Sequence, residues 1–134
     1  MPPGDPHEAH RATQSPDLPL KDIHLRVDWQ TLRRLPLSGA IAFNFKAIFT
    51  PIEEFRSEPG VPQIVAKVLK EGKANLMEYK STWHIQHVAL PKFEEWSAEQ
   101  VASGLVSPDW EVSTLPDAPY FKGWREKWHR QQGF

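Results

Sequence analysis

The chain has 134 residues, 40% of them hydrophobic and 25% charged, with a formal net charge of -1 at pH 7. This is the profile of one small globular domain, without the basic footprint of a nucleic-acid-binding protein or a polybasic membrane patch. Cysteine is absent, which excludes disulfides, thiolate metal ligands, iron–sulfur clusters and cysteine nucleophiles; no apolar run reaches the roughly 18–20 residues of a membrane helix and no secretory signal opens the chain, so an intracellular, cytoplasmic location is expected.

Residues 1–20 read as a disordered, proline-rich tail. Met1-Pro2-Pro3-Gly4-Asp5-Pro6 and Ser15-Pro16-Asp17-Leu18-Pro19 interrupt both helix and ladder, and His7 and His10 read as solvated tail side chains. Residues 21–134 read as a single domain. From Ile23 the pattern alternates. Leu25, Val27, Trp29, Thr31, Arg33 and Leu35 fall on one face of an extended strand, and His24, Arg26, Asp28, Gln30, Leu32 and Arg34 on the other. Pro36-Leu37-Ser38-Gly39 supplies a turn. Ala40 to Phe49 returns as a second strand, with Ile41, Phe43, Phe45 and Ala47 on an apolar face. The stretch predicts a β-hairpin.

Thr50-Pro51-Ile52-Glu53 carries the marks of a helix start, with Thr50 and Glu53 placed for a capping box. Glu58-Pro59-Gly60 stops that helix. A second begins near Val61-Pro62, with Ile64, Val65, Val68 and Leu69 as its apolar stripe and Gly72 at its end. A short helical turn follows from Asn75. The spacing predicts one helix from about Thr82 to Leu90 and another from about Pro91 to Ser103, closed by Gly104. Residues 106–122, with Pro108, Pro116 and Pro119, read as an extended aromatic strap along the domain. Trp124, Lys127 and Trp128 suggest a short terminal helix.

The hairpin's first strand places Arg33 among apolar side chains, and a buried guanidinium is expensive unless something acidic meets it. Arg33 and Arg34 are therefore candidates to bind a carboxylate-bearing ligand through their planar donor forks. The alternatives are an internal ion pair with one of the 17 acidic residues or a guanidinium that snorkels to water. His84 and His87, spaced i and i+3, share a helix face and are candidate metal ligands. The pair lacks the central glutamate and i+4 spacing of a zinc-protease motif. A haem needs only one axial imidazole, which His87, His84 or His24 could provide. Glu53 with Glu54 and Glu94 with Glu95 point apart on a helix and make no acid/base couple. Nucleophile-elbow, phosphate-loop, dinucleotide and calcium-loop patterns are absent from the sequence.

The string Leu25-Arg26-Val27-Asp28-Trp29-Gln30-Thr31-Leu32-Arg33-Arg34-Leu35-Pro36-Leu37-Ser38-Gly39-Ala40-Ile41 resembles the R-Q-T-L-R-R-L-P-x-[ST]-G-A hallmark of the haem-dependent oxidative N-demethylase-like family. Trp29 stands where that hallmark has its first arginine. Met77-Glu78-Tyr79-Lys80 is similar to a following Y-K element. The ending Trp124 to Phe134, which contains His129-Arg130-Gln131, resembles the C-terminus of the family's fungal branch. The resemblance runs over roughly residues 20–134 and corresponds to the C-terminal portion of longer relatives.

It implies a PAS-like haem-binding fold and oxidative removal of methyl groups from a small amine, with dioxygen and electrons from a reductase or another electron-donor protein. Haem carries the difficult chemistry in such a system, and the protein supplies its axial ligand and pocket. On that resemblance Arg33 and Arg34 would meet the haem propionates, and His87 or His84 would ligate the iron. The expected fold is α+β: an antiparallel hairpin with packed helices, here a truncated version of the PAS-like arrangement. Two functions follow from different classes. One is a haem-dependent oxidoreductase or a truncated, inactive member of that family. The other is a non-catalytic module that binds a partner protein through an unpaired strand edge.

Overall fold

A computed structural model describes residues 8–111 and 123–133. The order is α1 (Glu8–Arg11), a 3-10 turn (Leu20–Asp22), β1 (His24–Arg34), β2 (Ile41–Pro51), a 3-10 helix (Ile52–Ser57), α2 (Val61–Glu71), α3 (Ala74–Lys80), α4 (Trp83–Ala102) and α5 (Trp124–Gln132). The fold is α+β, with one two-stranded antiparallel sheet among the described residues.

Alternating β-branched and aromatic side chains form the hairpin, and its turn is built by Pro36 to Gly39. Gly39 takes φ +68°, a left-handed conformation that a side chain would strain. The Leu35 N–H donates to the Ala40 carbonyl (2.8 Å) and the Gly39 N–H to the Leu35 carbonyl (3.0 Å). This four-residue loop fixes a register running from Arg34 opposite Ile41 to His24 opposite Pro51. Directly opposed residues share a face. Leu25, Val27 and Trp29 therefore lie beside Thr50, Ile48 and Lys46, while Phe43, Phe45 and Phe49 lie beside Leu32, Gln30 and Arg26 on the other face. The apolar sets of the two strands point to opposite sides, so neither face is polar enough to prefer water.

Neither face is covered by another described element. Every residue of β1 is exposed, including Trp29 at 52% and Leu32 at 66%. Phe43 and Phe45 stack at 6.0 Å yet remain 53% and 57% exposed. The hairpin meets the rest of the molecule at its base, where β2 runs into the 3-10 helix. The helices pack on one another rather than on the sheet.

Their core contains Ile23, Ile52, Phe55, Ala66, Leu69, Ala89, Phe93 and Trp96. Phe93 is its centre, with Phe55 at 6.3 Å and Trp96 edge-on at 5.6 Å. α2 lies against α4, and both close on the 3-10 helix. The apolar stripe of α2 is rotated from the one its sequence suggests: Pro62, Ala66 and Leu69 are buried while Val68 is 51% exposed. Gly72 ends α2 at φ -59°, so close approach rather than backbone freedom selects glycine. A Cβ there would stand 2.6 Å from the Val68 carbonyl and run into Met77.

Two helix boundaries differ from the sequence reading. Thr50 and Pro51 remain in β2, and the next turn starts at Ile52 with no side-chain cap. The ladder, continued by Ile52 N–H donating to the Ile23 carbonyl (3.1 Å), outcompetes the capping box. α4 runs unbroken through Pro91. An interior proline removes one helical hydrogen bond and costs about 3 kcal/mol, which burial of Ala89 and Phe93 on either side offsets.

The described part of the N-terminal segment touches the helical body at particular residues. After α1, the Gln14 side-chain amide donates to the Trp83 carbonyl (2.8 Å), and Leu18 and Leu20 pack on the core. Of the expected strap, Val106 is buried and Trp110 packs over Gly60; residues 112–122 lie outside the described residues. α5 is joined to the helical body by a Lys127–Glu58 ion pair. The side chains of Trp124 and Trp128 lie outside the described set.

Candidate functional site

Arg33 and Arg34 sit at the far end of β1, on opposite faces because they are neighbours in a strand. Both are exposed. Neither guanidinium makes an ion pair or hydrogen bond among the described residues. The expected burial of Arg33 is thus overturned. Its apolar neighbours are themselves in water, since no helix covers their face, and the guanidinium needs no acidic companion to be solvated. Burial of this cation therefore lends no support to an anionic cofactor.

His84 and His87 lie on the first two turns of α4 and are partly buried. His87 Nε2 is 2.7 Å from the Ser15 carbonyl. A carbonyl only accepts, so Nε2 carries the proton and donates it. Each imidazole buries its Nδ1 with no partner. His24, the weaker candidate, is exposed, with Nδ1 3.2 Å from the Asp22 carbonyl. No group of three or more potential metal ligands converges among the described residues.

Haem would need one place where an imidazole and the propionate cations meet. Ile23, at the hairpin base, shares the core with Ala89 and Phe93 of α4. Arg33 is ten residues further along an extended strand, about 30 Å away. The histidine pair therefore stays with the helical body while the arginine pair stands at the tip. One nitrogen of His87 already holds the N-terminal segment, and its other nitrogen faces the protein interior. The four residues do not fit a single haem.

The side chains that do converge belong to a structural clamp. Gln100 is 2% exposed. Its Oε1 accepts from the Gly60 N–H (3.0 Å), and its amide donates to the carbonyls of Arg56 and Glu58 (both 2.9 Å). Gly60, at φ +78° with Trp110 packed over it, turns the chain from the 3-10 helix into α2. Arg56 adds a bidentate pair to Glu99 (2.8 and 2.9 Å). Its hydrogen bond to Glu99, and then their charge attraction, raise the Arg56 pKa. The sequence does contain a sign of the clamp. Ala89, Phe93, Trp96 and Gln100 follow the helical repeat, so a polar amide occupies the apolar stripe.

No helix of the described residues is long and apolar enough to cross a membrane. The family model described as haem-dependent oxidative N-demethylase, alpha subunit-like, matches residues 1–90, which include the hairpin and the start of α4. No curated protein and no solved structure matches the chain.

Proposed function

The chain belongs to the family of haem-dependent oxidative N-demethylase alpha-subunit-like proteins, and from that premise we propose that it is a member of this oxidoreductase class whose described part does not assemble a haem site by itself. The observation that supports this reading is the separation of Arg33 and Arg34, at the hairpin tip, from His84 and His87, beside the helical core. Arg33 and Arg34 are the cations offered to carboxylates, and His84 and His87 the imidazoles offered to iron. Their separation along the hairpin speaks against one cofactor held by all four within a single molecule. Dioxygen chemistry on a small amine, the reductase or electron-donor partner, the PAS-like sheet and a cytoplasmic setting are proposed at the level of the family and not for this chain acting alone.

A second reading, a non-catalytic protein-interaction module, is favoured by the hairpin, whose faces and edges are open along most of its length among the described residues. Titration of the purified chain with haem, followed by absorption spectroscopy, tests the first reading. The expected result is no saturable one-to-one Soret band. Such a band, lost in His87→Ala or His84→Ala and weakened in Arg33→Met, would overturn it and return catalysis to the single chain.

A further inference from the structure

The free edge of β1 has a defined chemistry. The pairs Leu35 with Ala40 and Ile23 with Ile52 are hydrogen-bonded. Hydrogen-bonded pairs recur every second residue in an antiparallel ladder, so the odd-numbered residues of β1 direct their N–H and C=O groups to β2. The even-numbered ones, Asp28, Gln30, Leu32 and Arg34 among them, direct theirs outward to an edge that no described strand occupies. An edge of this length is a template for another strand.

We infer that β1 pairs antiparallel with β1 of a second copy, joining two hairpins into a four-stranded sheet. This rests on the interaction reading above and names its partner. Charge chooses the register. With Thr31 on the two-fold axis, Asp28 stands opposite Arg34 of the second copy, Trp29 opposite its Arg33, Gln30 opposite its Leu32 and Val27 opposite its Leu35. The symmetry makes each match occur twice. Asp28 and Arg34 then form cross-strand ion pairs, and Arg33 lies over the partner's indole. The outward amides and carbonyls of Asp28, Gln30, Leu32 and Arg34 complete the ladder.

Neighbouring registers are worse. A shift of two residues toward the hairpin base sets Arg26 against Arg34, which is like against like. A shift of two toward the tip sets Asp28 against Pro36, which has no N–H to give. β2 offers no comparable match, because Lys46 is its one charged residue. The register also gives Arg34 an acidic companion that no described residue of its own chain supplies, Asp28 then being shared with Arg26, which already meets its carboxylate at 3.0 and 3.2 Å.

Sedimentation of the full chain at micromolar concentration, with hydrogen exchange at the β1 amides, tests the proposal. The parent chain should dimerise, and the Gln30 and Leu32 amides should exchange slowly only in the dimer. Arg34→Glu and Asp28→Lys should each weaken dimerisation about tenfold or more, because both symmetry-related pairs turn repulsive. An equimolar mixture of the two variants should restore it, since the heterodimer recovers one pair of each polarity. Circular dichroism confirms that each variant folds. A dimer that neither variant weakens overturns the β1 ladder. A parent chain that stays monomeric, with freely exchanging β1 amides, overturns self-pairing and leaves the edge to a different partner. Slow β1 amides in a monomer overturn the interaction reading as well.

Discussion

Replacement of Gln100 by leucine preserves the volume of the side chain and removes all three hydrogen bonds of the clamp. The Gly60 N–H, on a buried residue, is left without an acceptor, at about 1–3 kcal/mol. The carbonyls of Arg56 and Glu58, on less buried residues, can turn to water and lose less. A net loss of about 2–3 kcal/mol is expected, a large part of the 5–15 kcal/mol typical of a domain. With an m-value of about 1–1.5 kcal/mol per molar urea, the unfolding midpoint should fall by about 2 M. A midpoint within about 0.3 M of the parent would refute the clamp.

The isosteric Gln100→Glu sharpens the test. Its carboxylate still accepts from Gly60 but faces two carbonyl oxygens with nothing to donate. Folding would therefore raise the pKa of the introduced carboxyl above the unfolded value of about 4.3. The folded state binds the proton more tightly, so the stability deficit must shrink as pH falls from 7 toward 4. A deficit independent of pH over that range would contradict the geometry.

Gly72→Ala should destabilise the protein by about 1–3 kcal/mol, because the new methyl meets the fixed Val68 carbonyl as well as the movable Met77 side chain; an unchanged thermal midpoint would show that the α2–α3 corner relaxes freely. His87→Ala should free the Ser15 carbonyl and speed proteolysis and amide exchange across residues 13–18, while global stability changes by about 1 kcal/mol or less. Unaltered protection of that segment would remove His87 from its role as a strut.

The hairpin was legible because alternation, a proline–glycine turn and a second alternating run all point to one structure. Its surroundings were not. Leu25, Val27 and Trp29 look like a core-facing set when one strand is read alone. The loop length then sets them beside Thr50, Ile48 and Lys46, and no helix among the described residues arrives to cover them. Arg33 looks buried in the sequence for the same reason: its neighbours are apolar, but tertiary packing decides whether an apolar neighbourhood is dry. The helices were legible from periodicity and from Pro62, Gly72 and Gly104. Pro91 misled, because propensity marks a local expense and cannot register the packing of Ala89 and Phe93 that holds α4 together. The strut role of His87 was hidden because its partner, Ser15, is far away in sequence.

Pro91 gives α4 a division of labour. Its ring supplies no N–H for the His87 carbonyl, so the backbone ladder lacks one rung where the two halves of the helix meet, and side-chain packing carries more of the join there. The earlier half grips the N-terminal segment through Trp83 and His87. The later half anchors the turn into α2 through Phe93, Trp96 and Gln100. Loosening at the amino end can die out at this joint before it reaches the clamp, so the proline acts as a mechanical fuse between two anchoring tasks carried by a single rod.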